Sequence, residues 1–172
     1  MEDSQNAPKY DSHKHNNLAG EHKITDVGQL LLFIAFVLII IVDIFILKLS
    51  FRTIGSLPYL ISIPIFSLLF IAGAYLIIKS HGVLFGKEKK ETSLIQEGVF
   101  SMVRHPMYFG SILLFLSFVV LSYSVLSFLV WLVICFFYYF ISKYEEQLLI
   151  MQFGDAYREY RKKVPMFIPF LK

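Results

Sequence analysis

Arg104, His105 and Pro106 interrupt a chain of apolar runs, and Glu145-Glu146 closes the last of those runs. Proline fits the first position of a helix, where the backbone N–H groups of the opening turn have no partner within the helix. Those groups, with the Arg104 guanidinium beside them, make a site for a carboxylate or a phosphate. The glutamates offer the complementary chemistry: an ionised carboxylate accepts from the two hydroxyls of a ribose or pairs with a cation. Both features also have a plainer reading. Arg104 and His105 suit a basic membrane flank that reaches lipid headgroups. The two glutamates suit a solvated pair beside Lys143 or Arg158. On a helix, Ser142, Ile141, Tyr138 and Phe137 precede Glu145 by three, four, seven and eight residues, so they would line a groove above its carboxylate.

The elements that carry these residues are membrane helices. Of 172 residues, 56% are hydrophobic and 17% charged, against about a quarter charged in soluble domains. Mean hydropathy is +0.64. The apolar runs approach the roughly 20 residues that cross a hydrocarbon core, so the expected fold is an all-α membrane protein with about four transmembrane helices. Residues 1–26 are polar and read as a disordered cytoplasmic tail. Residues 27–79 read as two spans, from Val27 to Leu49 and from Pro58 to Lys79, with Pro64 kinking the second. Residues 80–172 read as a third region with a cytoplasmic C-terminal part. It holds a polar loop, a transmembrane hairpin from Pro106 to Tyr123 and from Val125 to Ser142, and a helical extension to Phe153. Gly154 fits a helix stop, Asp155 to Lys163 a short helix, and Val164 to Phe170 an apolar segment at the interface.

Four spans put both tails and the central loop on one side. Of sixteen Lys and Arg residues, only Lys48 and Arg52 fall on the other, which predicts that both termini, the Arg104 turn and Glu145-Glu146 are cytoplasmic. The first 26 residues are too polar, and the run after them too long, for a cleavable signal. A single cysteine, Cys135, excludes an intrachain disulfide. The net charge of +3, gathered at membrane flanks, excludes nucleic acid as a partner. The expected partner is the lipid bilayer.

The order of motifs narrows the function. Gly98-Val99-Phe100 is followed by Arg104-His105-Pro106-Met107-Tyr108-Phe109-Gly110, then by a helix ending in Glu145-Glu146. Phe153-Gly154, Tyr157, Tyr160 and Val164-Pro165 follow in turn. From about Thr92 to Lys172 this series resembles the isoprenylcysteine carboxyl methyltransferase family. His105 to Ser111 and Tyr144-Glu145-Glu146 also resemble the related phospholipid methyltransferases. The resemblance implies an S-adenosylmethionine site, built without a Rossmann domain, at the cytoplasmic end of the last two spans. Thr92, Ser93, Leu94 and Ile95 would line the cofactor pocket, and Phe100 would pack on the adenosine. His105, Pro106, Met107 and Tyr108, with Arg104 as anion binder, would wrap the methionyl end, and Glu145 would hold the cofactor opposite them. Tyr138, Ile141 and Ser142 would face an amphiphilic small-molecule or lipidated substrate.

The implied reaction is in-line displacement at a sulfonium methyl, with the protein supplying proximity, orientation and exclusion of water. The prenylcysteine enzymes carry a substrate-binding arginine about one turn before the cofactor glutamate, and Ile141 stands at that position here. The acceptor is accordingly left open among a prenylcysteine carboxylate, a lipid amine and a thiol. Two other functions compete: a membrane reductase of the sterol type using a reduced nicotinamide cofactor, and a non-catalytic membrane scaffold. Sterol reductases share a related His-Pro-x-Tyr turn but commonly follow it with an acid, where this chain has Gly110-Ser111. Asp43 inside the first span reads as structural, near Lys48. His13, His15 and His22 lack a coordinating scaffold, so no metal site is expected.

Overall fold

The computed structural model describes residues 13–47, 59–85 and 94–169, with side chains from 28–47, 59–83 and 94–169. Every regular element among them is helical. Helix α1 (His13–Val42) runs on as a wider π turn (Asp43–Leu47), and α2 covers Tyr59–Phe85. A 3-10 turn (Gly98–Ser101) leads to α3 (Pro106–Ser122), α4 (Val125–Phe153) and α5 (Asp155–Lys163). The chain divides into two units, Met1–Ile39 and Ile40–Lys172. The first holds α1 as far as Ile39, and the candidate site lies wholly in the second.

Two boundaries differ from the sequence reading. Helix α1 begins at His13 rather than near Val27, so the polar stretch is not structureless throughout. Lengthening an existing helix adds a hydrogen bond for each residue fixed, and Leu18, Ala19, Glu21 and Lys23 are sound helix formers. Among the described residues three stretches are long and apolar enough to cross a membrane: Gly28–Leu47, Tyr59–Val83 and Val125–Phe153. Helix α3, the expected third span, is apolar but has 17 residues. At about 1.5 Å per residue it reaches about 25 Å, short of a hydrocarbon core of roughly 30 Å. Pro106 fixes its start, and Tyr123, in the left-handed region at φ 51, ends it.

The distribution of side chains is that of a membrane protein. Ser62, Ser80, Ser117, Ser124, Ser127 and Ser142 are buried, whereas Leu60, Leu68 and Ile71 on α2 and Val133, Phe136 and Phe140 on α4 are exposed. Small polar residues between helices and large apolar ones outside are what lipid favours, because hydrocarbon gives no hydrophobic drive to pack Leu inward.

Helices α2 and α3 meet at a pair of glycines. A Cβ on Gly73 would come 2.7 Å from the Gly110 carbonyl oxygen, and one on Gly110 would come 2.8 Å from that of Gly73. The two backbones therefore touch directly, and any larger residue would force them apart. Further along the same antiparallel contact, Phe118 packs edge-on against Phe66 at 5.7 Å and Phe70 at 6.2 Å. The glycine that ends the Arg104–Gly110 motif thus has a packing role.

The α3–α4 hairpin turns within Tyr123 and Ser124. Ser124 caps α4 by accepting from the Ser127 N–H at 3.0 Å, and its hydroxyl donates to the Asp43 carboxylate. Ser122 and Ser127 pair through their hydroxyls at 3.2 Å. Trp131 Nε1 then donates to the Ile112 carbonyl at 3.0 Å, fixing the two helices side by side. Asp43 is buried in this polar knot, on the Ser124 hydroxyl; Lys48, its expected neighbour, lies outside the described residues.

Candidate functional site

At the other end of the hairpin the chain forms a corner. Pro106 opens α3 at its first position, and His105 before it gives no side-chain cap to the helix. The backbone of this corner is held from far along the chain. The Arg104 N–H donates to the Pro165 carbonyl at 2.9 Å, and the His105 N–H donates to that of Met166 at 3.2 Å. Residues 164–166 are docked on the motif. Helix α5 reaches this position because Gly154, at φ 56, reverses the chain after α4.

Arg104 is committed to the fold. Its Nη1 donates to the carbonyls of Arg161 at 2.7 Å and Val164 at 3.0 Å, at the C-terminal end of α5. A cation there meets the negative end of the helix dipole and carbonyls that the helix itself leaves unpaired. Its Nη2 lies 2.7 Å from Glu146 Oε1, and Arg161 Nε lies 3.4 Å from Glu146 Oε2. The guanidinium expected to receive an anion is therefore turned to partners within the protein.

The two glutamates have different surroundings. The Glu146 side chain is 2% exposed and that of Glu145 is 36% exposed. Glu145 accepts from the Tyr108 hydroxyl and lies 3.6 Å from His105 Nδ1. Glu146 lies 3.6 Å from the other ring nitrogen, Nε2. Tyr108 stacks on His105 with centroids 5.8 Å apart, and on Tyr138 at 5.1 Å. His105, Tyr108, Tyr138 and both glutamates thus form one cluster, with Phe167 tilted against His105 at 6.1 Å.

Burial alone would depress the His105 pKa, but the adjoining Glu145 and Glu146 carboxylates outweigh it and raise the imidazole above its ordinary value. Burial pushes the Tyr160 hydroxyl up to about 12. It raises Tyr157 too, and there the nearby Glu146 charge adds to the effect. Both phenols stay protonated as donors. That of Tyr160 donates to the Phe100 carbonyl at 2.6 Å, tying α5 to the 3-10 turn.

The register of α4 corrects the expected groove. Tyr138, Ser142 and Glu146 form the buried stripe, four residues apart, together with Ile134. Glu145 shares its side of the helix with half-buried Ile141 and exposed Phe137. The substrate-facing trio therefore splits: Tyr138 and Ser142 face inward, and Ile141 lies at the edge. Pro106 is buried, Met107 is half-buried, and its carbonyl accepts from Ser111 at 3.1 Å. Phe100 is half-buried in the 3-10 turn, and Leu94 and Ile95 are half-buried in the segment leading to it. Thr92 and Ser93 lie outside the described residues.

Tyr157, Tyr160, Arg161 and the 164–166 carbonyls had no assigned part in the site. Their signal in the sequence is spacing, since Tyr157, Tyr160 and Arg161 fall three and four residues apart on one helical face.

Residues 54–156 match the family described as phospholipid methyltransferase. The chain belongs to that family. The match runs from before α2 to the start of α5 and takes in both the Arg104–Gly110 corner and Glu145-Glu146. A Protein-S-isoprenylcysteine O-methyltransferase of Schizosaccharomyces pombe is 36% identical over 90 residues, which cover 52% of this chain and 38% of that protein. The chain therefore spans well under half the length of this relative. No solved structure matches the chain. The resemblance read from the motifs is borne out at the level of this methyltransferase family.

Proposed function

We propose that the chain is an S-adenosylmethionine-dependent membrane methyltransferase acting on an amphiphilic, lipid-like acceptor. The observation that carries this reading is the convergence of His105 and Tyr108 with Glu145, a half-open carboxylate beside the start of a helix that has no side-chain cap. The residues present fit such a cofactor. The opening turn of α3 offers N–H groups and a positive dipole end to the amino-acid carboxylate. Glu145 offers an acceptor for hydroxyls or an ammonium group. Ser142 Oγ and Tyr157 Oη are buried in the same cluster without a hydrogen-bond partner among the described residues, as polar groups next to a ligand site often are.

S-adenosylmethionine, when bound, supplies an electrophilic methyl group. The chain's own contribution is to hold and exclude. Glu145 and the first turn of α3 would hold the ligand, with Phe100, Leu94 and Ile95 lining the nucleoside. Arg104 keeps the corner rigid by joining it to Glu146 and the end of α5. Tyr138, Ile141 and Ser142 line the path from the bilayer, where aromatic and aliphatic walls keep water from the reacting methyl. A carboxylate or thiolate acceptor arrives already deprotonated, so the chain needs no strong general base. An isoprenylcysteine acceptor, as in the name of the fission-yeast relative, is one candidate; a thiol and a lipid amine are the others, and an amine, protonated at neutral pH, would first have to lose a proton. The basic flanks favour a site on the cytoplasmic side.

The test is calorimetric titration of the detergent-purified protein with S-adenosylhomocysteine and, separately, with a reduced nicotinamide nucleotide. Saturable binding of the first alone is expected. Binding of the nucleotide alone favours a reductase, and binding of neither leaves a scaffold.

A further inference from the structure

His105 lies between two acids. Its Nδ1 lies 3.6 Å from the half-open Glu145, and its Nε2 lies 3.6 Å from the buried Glu146. A neutral imidazole has one N–H and one lone pair, whereas an ionised carboxylate only accepts. Either neutral tautomer would therefore point a lone pair at a carboxylate. Only the doubly protonated ring gives each acid a positive N–H edge.

The remaining charges allow this arrangement. Arg104 on the same corner and Arg161 on α5 flank Glu146 at 2.7 and 3.4 Å, which keeps that acid ionised, and Arg104 Nη2 shares Oε1 of Glu146 with His105 Nε2. Tyr108 on α3 donates to Glu145, and Tyr157 on α5 is a neutral phenol near Glu146. Phe167, after α5, closes the ring's other side with an apolar face.

We propose that Glu146 is a positioning residue: by facing the inner nitrogen of His105 it holds that ring as an imidazolium, whose outer N–H orients the Glu145 carboxylate for the ligand. The inference rests on the proposed cofactor site for its function, but the state of the ring is independent of any ligand. Glu146 itself need not touch the ligand, since Arg104, Arg161 and His105 surround it. Its effect on binding passes through His105.

The experiment follows the ring nitrogens of His105 by NMR in the detergent-solubilised, ligand-free protein across pH, with the signal assigned by its loss in His105→Asn. In wild type the doubly protonated form is expected to predominate at pH 7. In Glu146→Gln that form is expected to become the minority, and Glu146→Asp is expected to restore it. S-adenosylhomocysteine affinity at pH 7 should fall about tenfold in Glu146→Gln and recover as pH is lowered, as expected when a charge-assisted contact is lost. If the buried substitution prevents folding, the wild-type titration alone decides: a singly protonated His105 at pH 7 overturns the assignment. So does a titration that is the same in Glu146→Gln and wild type, because a merely structural glutamate would lower stability and leave the ring unmoved. Failure of wild type to bind S-adenosylhomocysteine at any pH overturns the functional reading instead.

Discussion

The hairpin of α3 and α4 is polar at both ends, and the two ends differ in how that polarity is closed. At the turn, Ser122, Ser124, Ser127 and Asp43 bond to one another and to the first N–H groups of α4. At the open end, Arg104, His105 and Glu146 are buried at full or partial charge, Glu145 is left half-open, and the hydroxyls of Ser142 and Tyr157 have no hydrogen-bond partner among the described residues. Serine hydroxyls and one buried acid that bond to one another make a joint. Charges that balance only in part, next to an uncapped helix start, suit the ligand site proposed above. The difference shows why polarity inside a membrane helix is a weak guide to function until its partners are known.

Substitutions should separate the two ends, and the largest effect belongs to the buried ion pair. Arg104→Ala leaves Glu146 buried opposite only Arg161 and the ring of His105, and should destabilise the fold by about 3–5 kcal/mol, read as a lower Tm in detergent. Glu145→Ala should barely change Tm, because its carboxylate is partly solvated, yet weaken S-adenosylhomocysteine about 10- to 100-fold by calorimetry. Ser124→Ala reverses that pattern. It removes the cap of α4 and the bond to Asp43 at a cost of about 1–2 kcal/mol, with ligand affinity unchanged. An affinity loss in Ser124→Ala as large as that in Glu145→Ala would end the contrast between joint and ligand site.

The smallest effect is in pH. His105 has a folded pKa raised above its unfolded value of about 6.5, so its protonation stabilises the fold fully below that pH. The contribution disappears as pH rises through the folded value. The Tm difference between wild type and His105→Asn should therefore shrink as pH increases, and a difference that grows would contradict the carboxylate environment of the ring.

Much of this arrangement was legible in the sequence. Pro106 sets the start of α3, the Tyr123-Ser124 turn sets its end, and two helices of similar rise then return Glu145 and Glu146 to the level of His105. Which glutamate faces inward was not legible. Neighbouring helical positions differ by about 100°, and the phase of α4 is set by the stacking of Tyr138 on Tyr108, a contact between segments rather than a local pattern. The docking of residues 164–166 was hidden for another reason: backbone carbonyls do the work there, and they carry no side-chain signature. Helix α1 starts early because propagation from an apolar helix outruns local polarity.

The bonds from Arg104 and His105 to Pro165 and Met166 also set an order of assembly. A ribosome adding about 5–20 residues per second reaches those carbonyls several seconds after the corner itself has emerged. Through that interval the corner lacks the carbonyls that hold its backbone. On the reading proposed above, ligand competence would thus come late, and a chain released before Pro165 would hold the whole hairpin yet lack a fixed corner.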